Sequence, residues 1–303
     1  MYTEFVSADG LALAPKEGRQ KLLRDLVFSE GERPIVAQFF TAKPEYMEKA
    51  AALAQELGFD GVDINMGCPD RTIEKQGAGA KLTLNPALAQ ELIYAAKRGA
   101  PNLPVSVKTR LGYNQDILDE LLQALLAAEP AAVALHARTR KEMSKVPAHW
   151  DRVKRAVEIR DELGSKTLII GNGDVVDLED AHKKAAETGA DGVMLGRAIF
   201  GTPWLFATET SSANNSRSGE INTSPTPPRE SFASPEMRLR VAVEHTKLFE
   251  ELLGDIKNFA IMKKHFKAYV EGFPGAKELR IELMEAESAK QVEEKIHKFL
   301  KQP

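Results

Sequence analysis

The one cysteine of the chain, Cys68, follows a short apolar run and lies between a glycine and a proline. A lone cysteine is commonly a small buried apolar residue, but a Gly-Cys-Pro loop at the end of a strand is fixed in shape and open to a ligand site. A thiol with a pKa near ~8.5 is mostly protonated at neutral pH, so it can donate a proton as a general acid. With a base close by it could act as a nucleophile instead, and the neighbouring Asp70 and Arg71 do not decide between the two roles.

Polar side chains end most of the other apolar runs of the chain. These runs lead into Gln38, into Asp63 and Asn65, into Lys108 and Arg110, into His136 and Arg138, into Asn172 and Asp174, and into Arg197. In parallel α/β folds, ligands bind at the carboxyl ends of the strands. Because burying an unpaired polar group costs a few kcal/mol, six polar endings among seven runs indicate a ligand site rather than packing alone.

Taken one at a time, these side chains leave two interpretations open. Lys108 could extend its ammonium group to solvent or hold it against an anionic ring or a phosphate, and His136 alone is commonly a structural histidine. The segment 172–174 could be a strand-to-helix turn with an N-cap. It could instead hold a phosphate together with Gly196 and Arg197, because the last strands of a barrel commonly end at a phosphate site and glycines let N–H groups approach it.

Short runs typical of β-strands alternate with segments typical of helices, and this alternation must position the polar endings. The predicted strands are 2–6, 34–40, 61–66, 104–109, 131–137, 167–171 and 192–195. The predicted helices between them are 44–57, 86–98, 116–128, 150–163 and 177–188, with capping glycines at Gly58, Gly99, Gly164 and Gly189. The spacing predicts an α/β fold of parallel strands with crossover helices. Seven strands fit an open doubly wound sheet, whereas a (β/α)₈ barrel needs eight.

The composition changes after residue 206. Residues 208–235 are rich in Ser, Thr, Asn and Pro, which predicts a flexible linker. The pattern is helical from residue 236 to the end, with predicted helices at 237–253, 256–270, 276–286 and 288–300. We therefore expect a catalytic domain over residues 1–207, a linker over 208–235 and a small all-α domain over 236–303.

The composition also excludes several classes of protein. Of 303 residues, 43% are hydrophobic and 28% are charged, with no apolar run long enough to span a membrane and no secretory signal at the start. A single cysteine excludes a disulfide scaffold and a zinc site of four cysteines, so we expect no metal site and a reducing, cytoplasmic setting. The net charge of −3 excludes a uniformly basic nucleic-acid binder but leaves room for a basic face.

Six ordered motifs resemble those of the tRNA-dihydrouridine synthase family. They are NMGCP at 65–69 with GAGAKL at 77–82, SVKTR at 106–110, LHART at 135–139, GNGD at 171–174, GVMLGR at 192–197 and FGTPW at 200–204. The likeness covers residues 2–206 and resumes with KKHF at 263–266 and GFPGA at 272–276. On these motifs the chain is identified as a member of that family.

The resemblance implies a TIM-type (β/α)₈ barrel that binds FMN, a helical tRNA-binding domain, NADPH as the reductant and a uridine of tRNA as the substrate. It implies that Cys68 gives a proton to C5 of the uracil while a hydride passes from the flavin to C6. The residues that it assigns to the cofactor are Gln38 and Lys108 at the flavin ring, His136 at the flavin or uracil, and Asn172, Gly173, Asp174, Gly196 and Arg197 at the phosphate. Those that it assigns to the substrate are Asn65, Arg110 and Arg138. No obligate protein partner is inferred.

Three basic stretches agree with an RNA substrate. Residues 64–110 hold seven basic against three acidic residues, 136–155 hold seven against two, and 257–280 hold six against two. A base inside folded RNA must be flipped out to reach a pocket at the end of a barrel, so we expect basic residues around that end. A solvated surface of mixed charge could carry the same stretches.

The sequence departs from the family at its beginning. Family members start with an apolar strand and a Pro-Met segment that contacts FMN, whereas this chain starts at what corresponds to their second strand, which accounts for seven strands instead of eight. We expect such a polypeptide to bind FMN weakly and to be marginally stable, because it would expose two parallel sheet edges.

Two other functions compete with a tRNA-dihydrouridine synthase. One is a small-molecule FMN oxidoreductase of the dihydroorotate or dihydropyrimidine type, which also acts on pyrimidines but lacks the basic helical segment and the His-x-Arg-Thr string. The other is an inactive RNA-binding remnant left by loss of the first strand. Reduction of tRNA by the chain, with and without a restored upstream segment, separates the remnant from the enzyme.

Overall fold

The computed structural model describes residues 1–206 and 234–301, and the chain divides into two compact units, Met1–Leu195 and Gly196–Pro303. The predicted linker, 208–235, lies outside the described residues except for Ser234 and Pro235, which begin a helix of the second unit. The domain boundaries expected from the composition stay a prediction.

A parallel sheet of seven strands forms the centre of the first unit. The strands follow chain order, each paired in parallel with the next: β1 (Val6–Ser7), β2 (Val36–Phe40), β3 (Gly61–Met66), β4 (Val105–Arg110), β5 (Ala132–His136), β6 (Leu168–Asn172) and β7 (Gly192–Met194). The predicted α/β class is confirmed. The first predicted strand, 2–6, is wrong in extent, because Tyr2 makes an isolated bridge to Val36 and the strand proper begins at Val6.

The central strands are covered on both faces. All six residues of β3 are buried, as expected for a parallel sheet with helices packed against it. Because side chains alternate along a strand, Val62 and Ile64 pack into the apolar core, whereas Asp63 and Asn65 face the other way and meet polar partners. The alternation therefore separates the packing face from a polar interior face.

The sheet is strongly curved toward this polar face. The Nζ atom of Lys108 on β4 lies 3.1 Å from Oδ1 of Asn172 on β6, past the intervening β5. Side chains from strands that are not neighbours meet in this way on the concave side of a curved sheet. The polar face therefore lines the interior.

Helices connect the strands and cover the outside of the sheet. In the described part of the first unit they are α1 (Ala8–Leu13), α2 (Lys16–Arg24), α3 (Pro44–Glu56), α4 (Arg71–Lys75), α5 (Pro86–Gly99), α6 (Leu118–Ala127), α7 (Trp150–Glu162) and α8 (Leu178–Thr188). Asp70, Asn85 and Asp177 cap α4, α5 and α8 through side-chain oxygens that accept backbone N–H groups. The sequence pattern does not predict α1, α2 or α4, since two of them are very short and α2 buries no residue.

Gly99 differs from its predicted role as the residue beyond a helix end. It is the last residue of α5, and a Cβ added there would lie 2.0 Å from the backbone oxygen of Glu48 on α3. Glycine at this position therefore permits close packing of α3 and α5. By contrast, Gly58, Gly164 and Gly189 have φ values of 80°, 63° and 74°, as predicted for glycines that end helices.

The described part of the second unit is helical. Its helices are α9 (Pro235–Leu253), α10 (Lys263–Tyr269), α11 (Ala276–Met284) and α12 (Ala289–Leu300). The single helix predicted at 256–270 is wrong, because Asn258 accepts the Ala260 N–H and starts a 3₁₀ turn, Phe259–Met262, before α10 begins. Leu239, Phe266 and Leu283 are buried in a separate apolar core, so the predicted C-terminal helices are present.

Among residues 1–206 and 234–301, no helix has both the length and the apolar content needed to cross a membrane. In the same residues, no cluster of three or more His, Cys, Asp or Glu side chains is placed to hold a metal ion.

Candidate active site

Five of the predicted site residues stand near the carboxyl ends of five consecutive strands. They are Gln38 on β2, Asn65 on β3, Lys108 on β4, His136 on β5 and Asn172 on β6. The strand register places Asn65 opposite Lys108, and His136 opposite Asn172. The structure therefore brings these predicted residues to one end of the sheet.

A chain of hydrogen bonds joins the strand interiors to the cysteine loop. The Nε2 group of Gln38 donates to Asp63 Oδ2 at 2.7 Å, and Asn65 Nδ2 donates to Gln38 Oε1 at 2.9 Å. Asn65 Oδ1 in turn accepts the N–H groups of Gly67 at 3.2 Å and Cys68 at 2.9 Å. The backbone of the loop is thus fixed by side chains of β2 and β3.

Cys68 is half-buried beside a small apolar cluster of Phe40, Ile73 and Ala78. Burial raises the pKa of its thiol, and the charge of Asp70 adds to the rise, while the Asp70 N–H opposes it. The Cys68 carbonyl accepts the N–H of Ala80 at 2.9 Å. At neutral pH this thiol is protonated and can act as an acid.

Lys108 carries its ammonium group on a half-buried side chain. Burial lowers the pKa of Lys108 to about 8, although the charge of Asp63 opposes the shift. Within the described residues, one hydrogen bond from its Nζ is present, to Asn172, so two of its three N–H bonds lack a protein acceptor. These N–H donors fit a ligand that offers hydrogen-bond acceptor atoms.

His136 is held in its neutral form. Burial, together with the positive charges of Arg110 and Lys108, lowers the pKa of His136 to about 3. Its Nε2 atom lies 3.1 Å from Nη1 of Arg138. Because a guanidinium can only donate, Nε2 accepts and the imidazole proton is on Nδ1, where it can donate to a ligand.

The two arginines predicted at the substrate both hold the loops. Arg110 is 6% exposed and donates to the carbonyl of Gly67 at 2.7 Å and to that of Thr139 at 3.3 Å. Arg138 is 2% exposed, donates to the carbonyl of Val146 at 2.6 Å and forms an ion pair with Asp174. These hydrogen bonds give both arginines a supporting role beneath the site, and their contact with the substrate stays a prediction.

Two residues of the segment 172–174 have a positive φ. Gly173 has φ 132° and Asp174 has φ 53°, and a Cβ on Gly173 would lie 2.8 Å from that of Ala148. The Asp174 carboxylate pairs with Arg138 and accepts the Ala148 N–H at 2.9 Å. Its predicted role at a phosphate stays a prediction. The N-cap interpretation is wrong for this residue, because Asp177 caps α8.

Gly196 and Arg197 belong to the second unit, in which Arg197 begins the 3₁₀ turn Arg197–Ile199. Their predicted role at a phosphate stays a prediction.

Ion pairs neutralise part of the positive charge in the basic stretches of the sequence. Arg152 pairs with Asp116, just before α6, and Arg155 pairs with Asp119 on α6. Arg140 donates two hydrogen bonds to Glu74, at 2.7 and 2.6 Å. Exposed cations in the connections after β3 and β5 include Lys81, Lys141 and Lys145, and the Nζ atom of Lys81 lies 5.1 Å from the ring centre of Tyr113.

Asp63 is among the polar strand endings of the sequence, but the sequence motifs assign it no role in the site. It is fully buried, accepts hydrogen bonds from Gln38 and from Ser106 Oγ at 2.6 Å, and its pKa is raised by burial. The signal was present in the sequence, since a lone carboxylate interrupts the apolar strand that leads to the cysteine loop.

The chain matches the family model for dihydrouridine synthase (Dus) over residues 1–302. It is 38% identical over 289 residues to a probable tRNA-dihydrouridine synthase of Staphylococcus aureus strain COL, covering 95% of this chain and 81% of that protein. It is also 38% identical over 293 residues to probable tRNA-dihydrouridine synthase 2 of Bacillus subtilis strain 168, covering 96% of this chain and 83% of that protein.

A solved structure with a similar fold is that of a histamine dehydrogenase from Rhizobium sp. 4-9. The TM-score is 0.50 at 12% sequence identity, and the match covers 68% of this chain and 40% of that chain. At this identity the likeness concerns the fold, and it agrees with a barrel-type arrangement of the seven strands.

Proposed function

The chain belongs to the dihydrouridine synthase family and reduces uridine in tRNA, and we propose that Cys68 donates the proton beside a flavin held against Lys108. The observation that carries this proposal is the anchored cysteine loop. Asn65 accepts the Cys68 N–H, and the strand pairing of β3 with β4 places Asn65 opposite Lys108. The thiol and the Lys108 ammonium group therefore lie at one end of the sheet.

The residues present fit a flavin, and we propose FMN. The Nζ group of Lys108 has donors without acceptors among the described residues, and His136 offers an Nδ1–H. Both groups would hold electronegative atoms of the ring, and the charge of Lys108 would favour electron density at the edge that it touches. The chemistry that a bound flavin supplies is hydride transfer to C6 of the uracil, with NADPH as the proposed source of the electrons.

The side chains of this chain then have distinct tasks. Cys68 holds a proton at Sγ, because burial raises its thiol pKa, and we assign its transfer to C5 of the uracil. His136 has no proton on Nε2 and a pKa of about 3, so we assign it hydrogen bonding rather than acid catalysis. Gln38 and Asn65 fix the loop, and whether they also contact the ring or base stays part of the proposal.

We further propose that the phosphate of the cofactor lies near the glycine-rich turn at 171–174. Backbone N–H groups would bind the phosphate there, since the Asp174 carboxylate is already paired with Arg138. The tRNA would approach the same end of the sheet, with the helical unit as a second binding surface, in a cytoplasmic setting.

Replacing Cys68 with Ala tests the central assignment. We expect NADPH to reduce the bound flavin at the wild-type rate, and we expect reduction of tRNA uridine to slow by about 100-fold or more, the usual effect of removing a general acid. Both half-reactions are followed by stopped-flow absorbance of the flavin. Unchanged uridine reduction would show that another group donates the proton, and reduction of free uridine or orotate as fast as tRNA would favour a small-molecule pyrimidine oxidoreductase.

A further inference from the structure

The hydrogen bonds beneath the cysteine loop have one possible arrangement. The N–H groups of Gly67 and Cys68 can only donate, so the atom of Asn65 that faces them is Oδ1 and its Nδ2 faces Gln38. Gln38 must therefore present Oε1 to Asn65, at 2.9 Å, and Nε2 to Asp63, at 2.7 Å. The chain of amides thus requires an acceptor at its inner end.

Asp63 supplies that acceptor from a fully buried position. Its Oδ2 takes the Gln38 Nε2–H, and its Oδ1 takes the Ser106 Oγ–H at 2.6 Å, so both oxygens are engaged. A buried amide deprived of its acceptor either turns over or loses a hydrogen bond. Turning Gln38 over would place its oxygen toward Asp63 and its amide group toward the Nδ2–H of Asn65, donor against donor.

We propose that Asp63 is a positioning residue for Cys68: it sets the orientation of Gln38, Gln38 sets that of Asn65, and Asn65 holds the Cys68 backbone. The importance of Asp63 to the reaction rests on the proposed role of Cys68. The hydrogen bonds that link Asp63 to the Cys68 backbone do not depend on that role. Asp63 acts through two other side chains and touches neither the thiol nor a ligand.

The single cysteine allows a direct test, because iodoacetamide alkylation of the chain reports on Cys68 alone. We expect Asp63→Leu, which keeps the branching at Cγ but has no acceptor, to release the loop and raise the alkylation rate about fivefold, since loosened segments open more often. We expect Asp63→Asn, which keeps an oxygen for Gln38 but removes the charge, to stay within about twofold of the wild type. The conservative variant thus separates orientation from charge.

A double-mutant cycle tests the route of the effect. Asn65→Ala alone should raise the alkylation rate at least as much as Asp63→Leu. Adding Asp63→Leu to Asn65→Ala should then change it little further, because the link to Cys68 is already broken. Thr167→Val serves as the matched control: it removes a buried hydrogen bond, Oγ1 to the Pro130 carbonyl at 2.7 Å, before the start of β6, and should leave the rate unchanged.

If Asp63→Leu does not fold, Gln38→Leu breaks the same chain one link closer to Cys68 without touching the carboxylate and should give the same increase. Equal alkylation rates in wild type and in the folded variant, or full additivity with Asn65→Ala, overturn the proposal. An Asp63→Asn variant as fast as Asp63→Leu overturns it also, since charge and not orientation would then matter. None of these outcomes depends on tRNA or flavin, so failure here is distinct from failure of Cys68 as the proton donor.

Discussion

At the scale of single residues, burial drives four ionisable groups of the site toward their neutral forms. It raises the pKa values of Cys68 and Asp63, and it lowers those of Lys108 to about 8 and His136 to about 3. Lys108 still carries its charge at neutral pH, whereas His136 does not. The thiol thus holds a proton at neutral pH, and the ammonium group is a fixed positive charge at the same end of the sheet.

The neutral state of His136 has a consequence for stability. Its pKa falls from 6.5 to about 3 on folding, so between these pH values the unfolded chain binds a proton that the folded chain does not. Stability from this residue is therefore present above pH 6.5 and is lost as the pH falls toward 3, by up to about 1.4 kcal/mol per pH unit. We expect His136→Gln to reduce the loss of unfolding free energy between pH 6.5 and pH 3, measured by urea unfolding at several pH values.

The exposed His182 on α8 provides the control, and His182→Gln should retain the wild-type dependence on pH. A His136→Gln variant with the same acid sensitivity as the wild type would show that other groups carry the effect.

The buried Arg138 makes its neighbour Asp174 important to stability. Asp174→Asn keeps a side chain that tolerates a positive φ and an acceptor for the Ala148 N–H, but it leaves the guanidinium without a counter-charge. Because an unpaired buried charge is costly, we expect a loss of about 2 kcal/mol in the free energy of unfolding. Combining it with Arg138→Met should recover part of that loss in urea unfolding, and a double variant as unstable as the sum of the two single variants would contradict the pairing.

Some of these residue roles were accessible from the sequence and others were not. The polar endings of the apolar runs predicted that Gln38, Asn65, Lys108, His136 and Asn172 would meet at one end of the sheet. The pattern could not distinguish an arginine that faces a ligand from one that supports a loop. Arg110 and Arg138 lie two residues beyond Lys108 and His136, and only their hydrogen bonds to backbone carbonyls show which way they turn.

At the scale of elements, the central strands were predictable because they are largely buried and alternate apolar with polar side chains. The elements that escaped prediction are those that bury no residue, such as α2, or that are very short, such as α4 behind its cap Asp70. Gly99 shows the same limit in another form. A glycine at a helix end has the same sequence signature whether it supplies a positive φ or allows a neighbouring helix to approach.

Two substitutions distinguish a glycine that supplies a positive φ from one that allows a neighbouring helix to approach. We expect Gly99→Ala to cost about 2 kcal/mol in the free energy of unfolding, because its Cβ would meet the Glu48 carbonyl and push α3 from α5. Gly164→Ala, at φ 63° with no atom within 4 Å, should cost about 1 kcal/mol from backbone strain alone. Thermal and urea unfolding measure both, and a smaller cost at Gly99 than at Gly164 would refute the packing role of Gly99.

At the scale of the whole molecule, a net charge of −3 must still permit binding of a polyanion. Counting charges along the sequence overstates the basic surface, because Arg138 is buried, Lys108 is half-buried, and Arg152 and Arg155 are paired. The carboxyl end of the sheet still has exposed lysines on the loops after β3 and β5. A charge count over residues 136–155 could not show this, because Asp116 and Asp119, which pair with the two arginines, lie outside that stretch.

These lysines lead to a prediction about salt. Each lysine that contacts a phosphate releases counterions when tRNA binds, so it contributes roughly 0.7 to 0.9 to the slope of log affinity against log salt concentration. We expect the triple variant Lys81→Gln, Lys141→Gln and Lys145→Gln to bind tRNA more weakly and to reduce that slope by about 2, measured by fluorescence anisotropy across a salt titration. Replacing the equally exposed Lys49, Lys154 and Lys166, which lie on α3, on α7 and before β6, removes the same charge. An equal loss of slope in that control would mean that tRNA responds to net charge alone, whereas a loss confined to the first triple variant places the RNA at the end of the sheet that holds Cys68.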